Sequence, residues 1–208
     1  MNPTPEKTSV MAPFILMLFL YFIVGLFTVI NQQFQVPLKS ALLPHDGNMT
    51  NALVTLLNFS WFLAYPFSEG FATRWVDRLG YRKTSVYSLL IFIAGLGFYE
   101  AAVLLHIYAP SYITIMGNPI FTGFFIFLSG SFVIGMAVTI LQVVTGLYLD
   151  VNPVGKTTPL QRQMIGGTTN SIGMAIGPLV VSYIIFYGIP LHNVQSREFI
   201  WPVICLIA

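Results

Sequence analysis

The feature that most constrains this chain is a run of 31 uncharged residues between Lys7 and Lys39. Further long apolar runs follow, and the charged residues gather in the short segments between them. A helix of about 20 apolar residues crosses the ~30 Å hydrocarbon core of a bilayer, whereas a water-soluble helix keeps a polar face. Only 8% of the 208 residues are charged, against about a quarter in a soluble domain. The sequence therefore predicts an all-α integral membrane protein.

Turn-forming residues divide the chain into five complete spans and the start of a sixth. Clusters of Gly, Pro, Asn and Asp mark several of the joins. The sixth apolar run begins at Phe199 and stops at Ala208, and so short a run cannot cross a bilayer as a helix. We therefore expect a chain that is cut inside its sixth span. The predicted spans cover about 14–38, 51–72, 84–105, 120–149 and 163–187.

The distribution of basic residues predicts how the spans are oriented. If the N-terminus is cytoplasmic, seven of the nine Lys and Arg residues fall in cytoplasmic segments, and only Lys39 and Arg197 fall outside. Cytoplasmic loops of membrane proteins carry such an excess of Lys and Arg. We therefore expect a multi-pass membrane protein with its N-terminus in the cytoplasm.

Several functional classes are disfavoured by the residues present. A single cysteine, Cys205, allows neither an internal disulfide nor a cysteine-based metal site. The chain shows no basic face or motif for nucleic acid. It also shows no paired carboxylates, no nucleophile with a base and no metal-binding cluster, so an enzyme is the least favoured class. We expect no cofactor, no metal and no nucleic-acid partner.

The sharpest motif joins the second and third predicted spans, and it reads Asp77-Arg78-Leu79-Gly80-Tyr81-Arg82-Lys83. Gly80 permits a tight reversal of the chain, and Asp77 can hold a neighbouring helix terminus. The plain alternative is an inner loop that is basic only because inner loops are basic. The Asp-Arg-x-Gly order favours a cytoplasmic gate built from Asp77, Arg78, Gly80, Arg82 and Lys83.

With this motif between its second and third spans, the chain resembles the major facilitator superfamily of transporters. Their signature at this place is Gly-x-x-x-Asp-Arg-x-Gly-basic-basic, and here Thr73 and Tyr81 replace the first Gly and the first terminal basic residue. The subfamily it resembles is that of the bacterial L-fucose and hexose proton symporters. Its matching stretches are 27–31 with 38–40, 79–83, 139–143 and 170–173.

The resemblance implies the N-terminal six-helix bundle of a twelve-helix sugar transporter in the cytoplasmic (inner) membrane. It implies alternating access against a C-terminal bundle that this chain lacks, with a sugar or similar polar solute as substrate and a proton as the coupling ion. Gln32 departs from the pattern, because the symporters usually place a titratable acid there and an amide does not titrate.

Polar or small residues recur every three or four positions along four of the spans, and such residues share one helix face. The faces of the first and second spans comprise Thr28, Asn31, Gln32 and Gln35, and Asn58, Trp61, Tyr65 and Glu69. Those of the fourth and fifth comprise Gly135, Thr139, Gln142 and Gly146, and Gly166, Asn170, Gly173 and Gly177. The third span lacks such a face and is expected to be an outer buttress. The candidate substrate-binding residues are Asn31, Gln32, Gln35, Asn58, Trp61, Gln142 and Asn170.

Each candidate has a structural alternative. Amides inside a membrane also join helices, at about 0.6 kcal/mol per hydrogen bond, and the glycines of the fifth span favour close helix packing. Trp61 can stack on a sugar ring, or it can simply pack or anchor at the interface. Glu69 is the candidate for proton coupling in place of the missing acid, the alternative being a hydrated carboxylate near the inner interface.

Two other functions stay open from the sequence. A proton-independent facilitator of the same fold suits the amide at Gln32. A non-transporting, degenerate membrane protein suits the truncation and the lost polar residues. Amides and hydroxyls suit sugars, but they also suit nucleosides and other neutral polar solutes.

Overall fold

Helices and one short β-hairpin make up the part of the chain that the computed structural model describes, residues 11–33, 48–115 and 118–185. One long helical segment is interrupted at Gly80, and we name its two arms α2 and α3. The elements are α1 (Met11–Gln33), the bent segment Asn48–Tyr108 with α2 (48–79) and α3 (81–108), β1 (Tyr112–Ile115), β2 (Asn118–Phe121), α4 (Gly123–Val151) and α5 (Pro159–Val180), which continues into a π-helical turn (Val181–Ile185).

Four helices are long and apolar enough to cross a membrane, and one of them is the bent segment. At about 1.5 Å per residue, each of its two arms is longer than the ~30 Å hydrocarbon core. Large apolar side chains are exposed on α1, on both arms of the bent segment and on α5, among them Phe19, Phe67, Ile93 and Leu179. Such outward apolar surface suits acyl chains rather than water.

The chain reverses at Gly80, where the sequence predicts a tight turn. Its backbone angles, φ 78° and ψ 167°, lie outside the helical region. The rings of Trp75 and Tyr87 approach to 6.2 Å between centroids, although twelve residues of straight helix would place them about 18 Å apart. The predicted loop is therefore a reversal at a single residue, and helix continues on both sides of it.

Helix α4 forms the centre of the bundle. Of its most apolar 18-residue stretch 61% is buried, against 22–28% for the other three membrane-length helices. Three apolar clusters follow one another along it, around Phe124, Val138 and Val144. Helices α2 and α3 pack against α4, and α1 packs mainly against α5.

The basic residues of the described part all lie at one end of the bundle. Arg74, Arg78, Arg82 and Lys83 flank the reversal, and Lys156 and Arg162 belong to the connection between α4 and α5 and the first turn of α5. Tyr81 packs on Tyr148 with ring centroids 5.3 Å apart, which brings these two connections together. We call this the basic end, and we call the opposite end, which carries β1 and β2, the hairpin end.

The helices α1, α2 and α3 begin three residues before their predicted spans, and α2 continues to residue 79 where its span was expected to end at 72. Two other boundaries differ for identifiable local reasons. Helix α5 begins at Pro159 rather than Gln163, because Thr158 and Gln161 form a capping box and Pro suits the first helical position. Helix α4 begins at Gly123 rather than Ile120, because Ile120 lies in β2. The end of the first predicted span, the end of the fifth and the sixth apolar run lie outside the described residues.

Candidate functional site

A polar contact joins α2 to α4 in the interior of the bundle. The Tyr65 hydroxyl donates to Gln142 Oε1 at 3.4 Å, and it also lies beside Thr28 of α1. Both Tyr65 and Gln142 are half-buried. Three of the four faces that the sequence singles out as polar therefore meet at this point. We call Thr28, Tyr65 and Gln142 the polar seam.

Two buried polar atoms lie on α2, one and two helical turns before Tyr65. Asn58 Oδ1 and Trp61 Nε1 have no hydrogen-bond partner among the described residues. Buried polar groups in proteins are usually paired, and an unpaired one is costly in a membrane. The Trp61 side chain is only 2% exposed and packs with Val24 and Leu141 in the middle apolar cluster. Its position corresponds to the packing alternative rather than to an open platform for a sugar ring.

The face of α5 is used for close packing against α1. A Cβ atom on Gly173 would collide with the backbone oxygen of Phe22, and one on Gly25 would collide with the backbone oxygen of Asn170. The Asn170 side chain donates from Nδ2 to the Tyr21 carbonyl at 3.0 Å. The prediction that the α5 glycines serve helix packing is confirmed, and Asn170 makes an interhelical hydrogen bond.

Two polar side chains that the sequence analysis did not single out extend the seam towards the basic end. Gln163 donates from Nε2 to the Gly146 carbonyl at 2.8 Å. A Cβ atom on Gly146 would lie 3.9 Å from both this nitrogen and the Tyr21 hydroxyl. Gln163 lies seven residues before Asn170, a spacing that places both on one helix face. This spacing from Asn170 is the feature of the sequence that could have identified Gln163.

The remaining candidates of the first and second spans differ in exposure. Asn31 is half-buried and Gln32 is exposed, both in the last turn of α1, and Gln35 lies outside the described residues. Glu69 is exposed on α2, one helical turn beyond Tyr65. The structure thus brings Gln142 to the seam, and places Gln32 and Glu69 outside it.

The gate motif surrounds the chain reversal at the basic end. Asp77, Arg78, Gly80, Arg82 and Lys83 are all exposed. Thr84, one turn beyond Gly80, is buried and donates its hydroxyl to the Gly80 carbonyl at 2.9 Å. The charged side chains of the motif are therefore exposed, while Thr84, one turn further along α3, is buried.

A buried arginine connects α4 to α5 at the basic end. Arg162 is 2% exposed, and its guanidinium donates to the carbonyls of Leu149, Asp150 and Thr157. Two of these carbonyls belong to the last turn of α4, where a cation also complements the helix dipole. From the sequence, Arg162 is only one of the basic residues of a cytoplasmic connection, whereas in the structure its guanidinium joins the end of α4 to the start of α5.

Comparison of the chain with protein-family models, curated proteins and solved structures finds no match. The function is therefore argued from the residues and the geometry.

Proposed function

We propose that this chain forms one bundle of a secondary transporter that moves a sugar or a similar neutral polar solute across a membrane by alternating access. The fold we propose for it is the N-terminal six-helix bundle of the major facilitator superfamily, with the N-terminus in the cytoplasm. The observation that carries the proposal is the contact between Tyr65 and Gln142, which sets hydrogen-bonding groups inside a bundle of membrane-length helices.

The chemistry of the seam supports a neutral solute. Thr28, Tyr65 and Gln142 are not ionised at neutral pH, and hydroxyl and amide groups both donate and accept hydrogen bonds. A polyhydroxylated solute needs both functions, whereas a charged solute needs an opposite charge. In a transporter of two bundles, such groups would face the solute near the middle of the membrane while the bundles rock around it.

The test is solute binding and uptake by the full-length protein in lipid vesicles, with a panel of hexoses, 6-deoxyhexoses and nucleosides. We expect Tyr65→Phe to weaken binding about tenfold, which corresponds to about 1.4 kcal/mol, because it removes the hydroxyl that contacts Gln142. The matched control is Tyr87→Phe, an exposed tyrosine at the basic end, which should bind like the unsubstituted protein. Absence of binding and uptake for the whole panel would favour a non-transporting membrane protein.

The second candidate is a proton-independent facilitator, and the properties of Gln32 and Glu69 favour it. Gln32 cannot titrate, and Glu69, the carboxylate proposed for proton coupling, is exposed outside the seam. Dissipating the proton gradient during uptake distinguishes the two mechanisms. Loss of concentrative uptake, together with its loss in Glu69→Gln, would support coupling at Glu69. Uptake that is unchanged in both experiments would support the facilitator.

A further inference from the structure

The connection between α3 and α4 contains the two paired strands of a β-hairpin, where the sequence indicates only a join between two spans. Strands β1 and β2 pair antiparallel, with Tyr112 opposite Phe121 and Ile113 opposite Ile120. The backbone N–H of Thr122 donates to the Ser111 carbonyl at 2.9 Å and closes the base of the hairpin. The hairpin is therefore held at a defined position on the end of the bundle.

One strand of the hairpin is anchored in the protein core. Ile120 and Phe121 are 2% and 1% exposed. They pack with Val103 of α3 and Phe124 of α4 in the apolar cluster nearest the hairpin end. Burial of these two large apolar side chains holds the strand against the bundle. The hairpin should consequently move with α3 and α4 as one unit.

The other strand turns amphipathic and apolar side chains outward. Tyr112 and Ile113 are 49% and 46% exposed, and Tyr108, at the end of α3, is 81% exposed. The Tyr112 ring meets the ring of Phe121 edge-on at 5.9 Å between centroids. Tyrosine with its ring on apolar surface and its hydroxyl free for water is the residue typical of the membrane–water interface.

Charge distinguishes the hairpin from the basic end. No Asp, Glu, Lys or Arg occurs between Glu100 and Asp150, and the one basic residue in this stretch is His106 of α3, so the hairpin strands themselves carry no charged residue. The described Lys and Arg residues all lie at the basic end. The hairpin therefore offers no opposite charge to an anionic headgroup or to a charged protein partner.

The physical properties of the hairpin limit where it can lie. The described sheet has two strands only, so one edge of each strand faces no neighbouring strand, and such edges are not tolerated among acyl chains. A position of the hairpin in bulk water is also unfavourable, because its exposed tyrosine and isoleucine side chains would then be hydrated. Helix α4 has 29 residues, which at about 1.5 Å per residue gives about 44 Å, so its ends reach past the ~30 Å hydrocarbon core into the headgroup layers.

We infer that the hairpin of β1 and β2 is a lipid-binding surface that lies in the headgroup layer of the bilayer, with Tyr108 and Tyr112 directed into neutral lipid. This inference concerns a surface outside the polar seam and does not depend on the transport proposal. Because the surface is uncharged, its depth in the membrane is independent of anionic lipid.

The experiment measures the depth of single nitroxide labels in vesicles. In a Cys205→Ser background, labels are placed by Tyr108→Cys and by Tyr112→Cys. The reference labels are Ile93→Cys, on the exposed apolar face of α3, and Lys156→Cys, in the exposed connection at the basic end. Collision with oxygen, which is enriched in lipid, and with a water-soluble nickel complex is compared in phosphatidylcholine vesicles with and without phosphatidylglycerol.

We expect both tyrosine sites to collide with the nickel complex several-fold less often than Lys156 and several-fold more often than Ile93, equally in both lipids. Nickel accessibility equal to that of Lys156 at both sites would overturn the inference, because the hairpin would lie in water. Accessibility as low as that of Ile93, or a depth that changes with phosphatidylglycerol, would overturn it as well. A water-exposed label at Ile93 would instead contradict membrane insertion of the helices.

Discussion

At the residue scale, Arg162 is the side chain whose role changes most between sequence and structure. Its guanidinium supplies hydrogen bonds to the last turn of α4 and to the carbonyl of Thr157. We expect Arg162→Ala to lower the free energy of unfolding by about 3 kcal/mol, because charged hydrogen bonds are lost and buried carbonyls stay unpaired. Arg162→Lys should lose less stability than Arg162→Ala. The control is Lys156→Ala, because Lys156 is exposed. Denaturant titration in detergent checks this order, and equal losses in all three variants would contradict it.

Two glycines of α5 provide a matched pair at the same scale. A Cβ atom on Gly173 would collide with the Phe22 carbonyl, whereas one on Gly167 meets nothing within 4 Å. We expect Gly173→Ala to destabilise the protein by about 1–3 kcal/mol, because α1 and α5 must separate. Gly167→Ala should be neutral or stabilising by up to about 1 kcal/mol, because alanine favours helix. Thermal unfolding of the two variants side by side tests the contrast, and a reversed order would rule out this packing.

At the scale of elements, the reversal at Gly80 determines whether α2 and α3 pack against α4 together. Its φ of 78° with ψ of 167° belongs to a region that is essentially restricted to glycine. We expect Gly80→Ala to cost about 1–3 kcal/mol of stability and to widen the distance between labels at Trp75 and Tyr87. The control is Gly70→Ala, since a Cβ there meets nothing within 4 Å. Spin-label distances unchanged in Gly80→Ala would contradict this role.

At the scale of the whole molecule, we propose that the charges of the basic end determine the orientation of the bundle in the membrane. Arg74, Arg78, Arg82 and Lys83 lie on one side of the bundle, and the hairpin lies on the other. We expect replacement of all four by glutamine to produce a mixed or inverted orientation, because an excess of Lys and Arg retains loops in the cytoplasm. Accessibility of a cysteine at Lys156 to an impermeant reagent in intact cells measures it. Replacing Lys156 alone, with the four residues kept, is the control and should keep that site cytoplasmic.

Much of the helical arrangement was predictable because its causes are local. Uncharged length predicts the membrane-length helices, and the glycine spacing of α5 predicts close packing against a neighbouring helix, which the structure identifies as α1. The start of α5 was also encoded locally, in the Thr-Pro-Leu-Gln capping box at 158–161, and was overlooked because the span was placed by hydropathy. The short apolar stretch before α4 was assigned to helix because periodicity alone does not separate helix from strand in so short a run.

The candidate site was less predictable because it depends on which faces meet. Helical spacing identified Gln142 and Tyr65 as members of polar faces, but it did not show that they contact each other. Trp61 has the same spacing on α2 and yet is buried among apolar side chains. Gln163 and Tyr21 contribute through neighbours that are more than 15 residues away in sequence. Contacts of this kind depend on how the helices pack together, and the spacing of residues along one helix does not reveal them.

The sequence by itself determined that this protein has helices suited to a membrane. The free energy of transferring a segment from water to lipid depends on the apolar length and the charges of that segment, and not on the rest of the chain. The sequence also determined the bend at Gly80, because only glycine adopts that backbone conformation without strain. The tertiary structure decided that α4 lies at the centre, that Arg162 closes the α4–α5 connection and that a hairpin covers one end. Each of these outcomes depends on surfaces from distant parts of the chain fitting together, and no single segment contains that information.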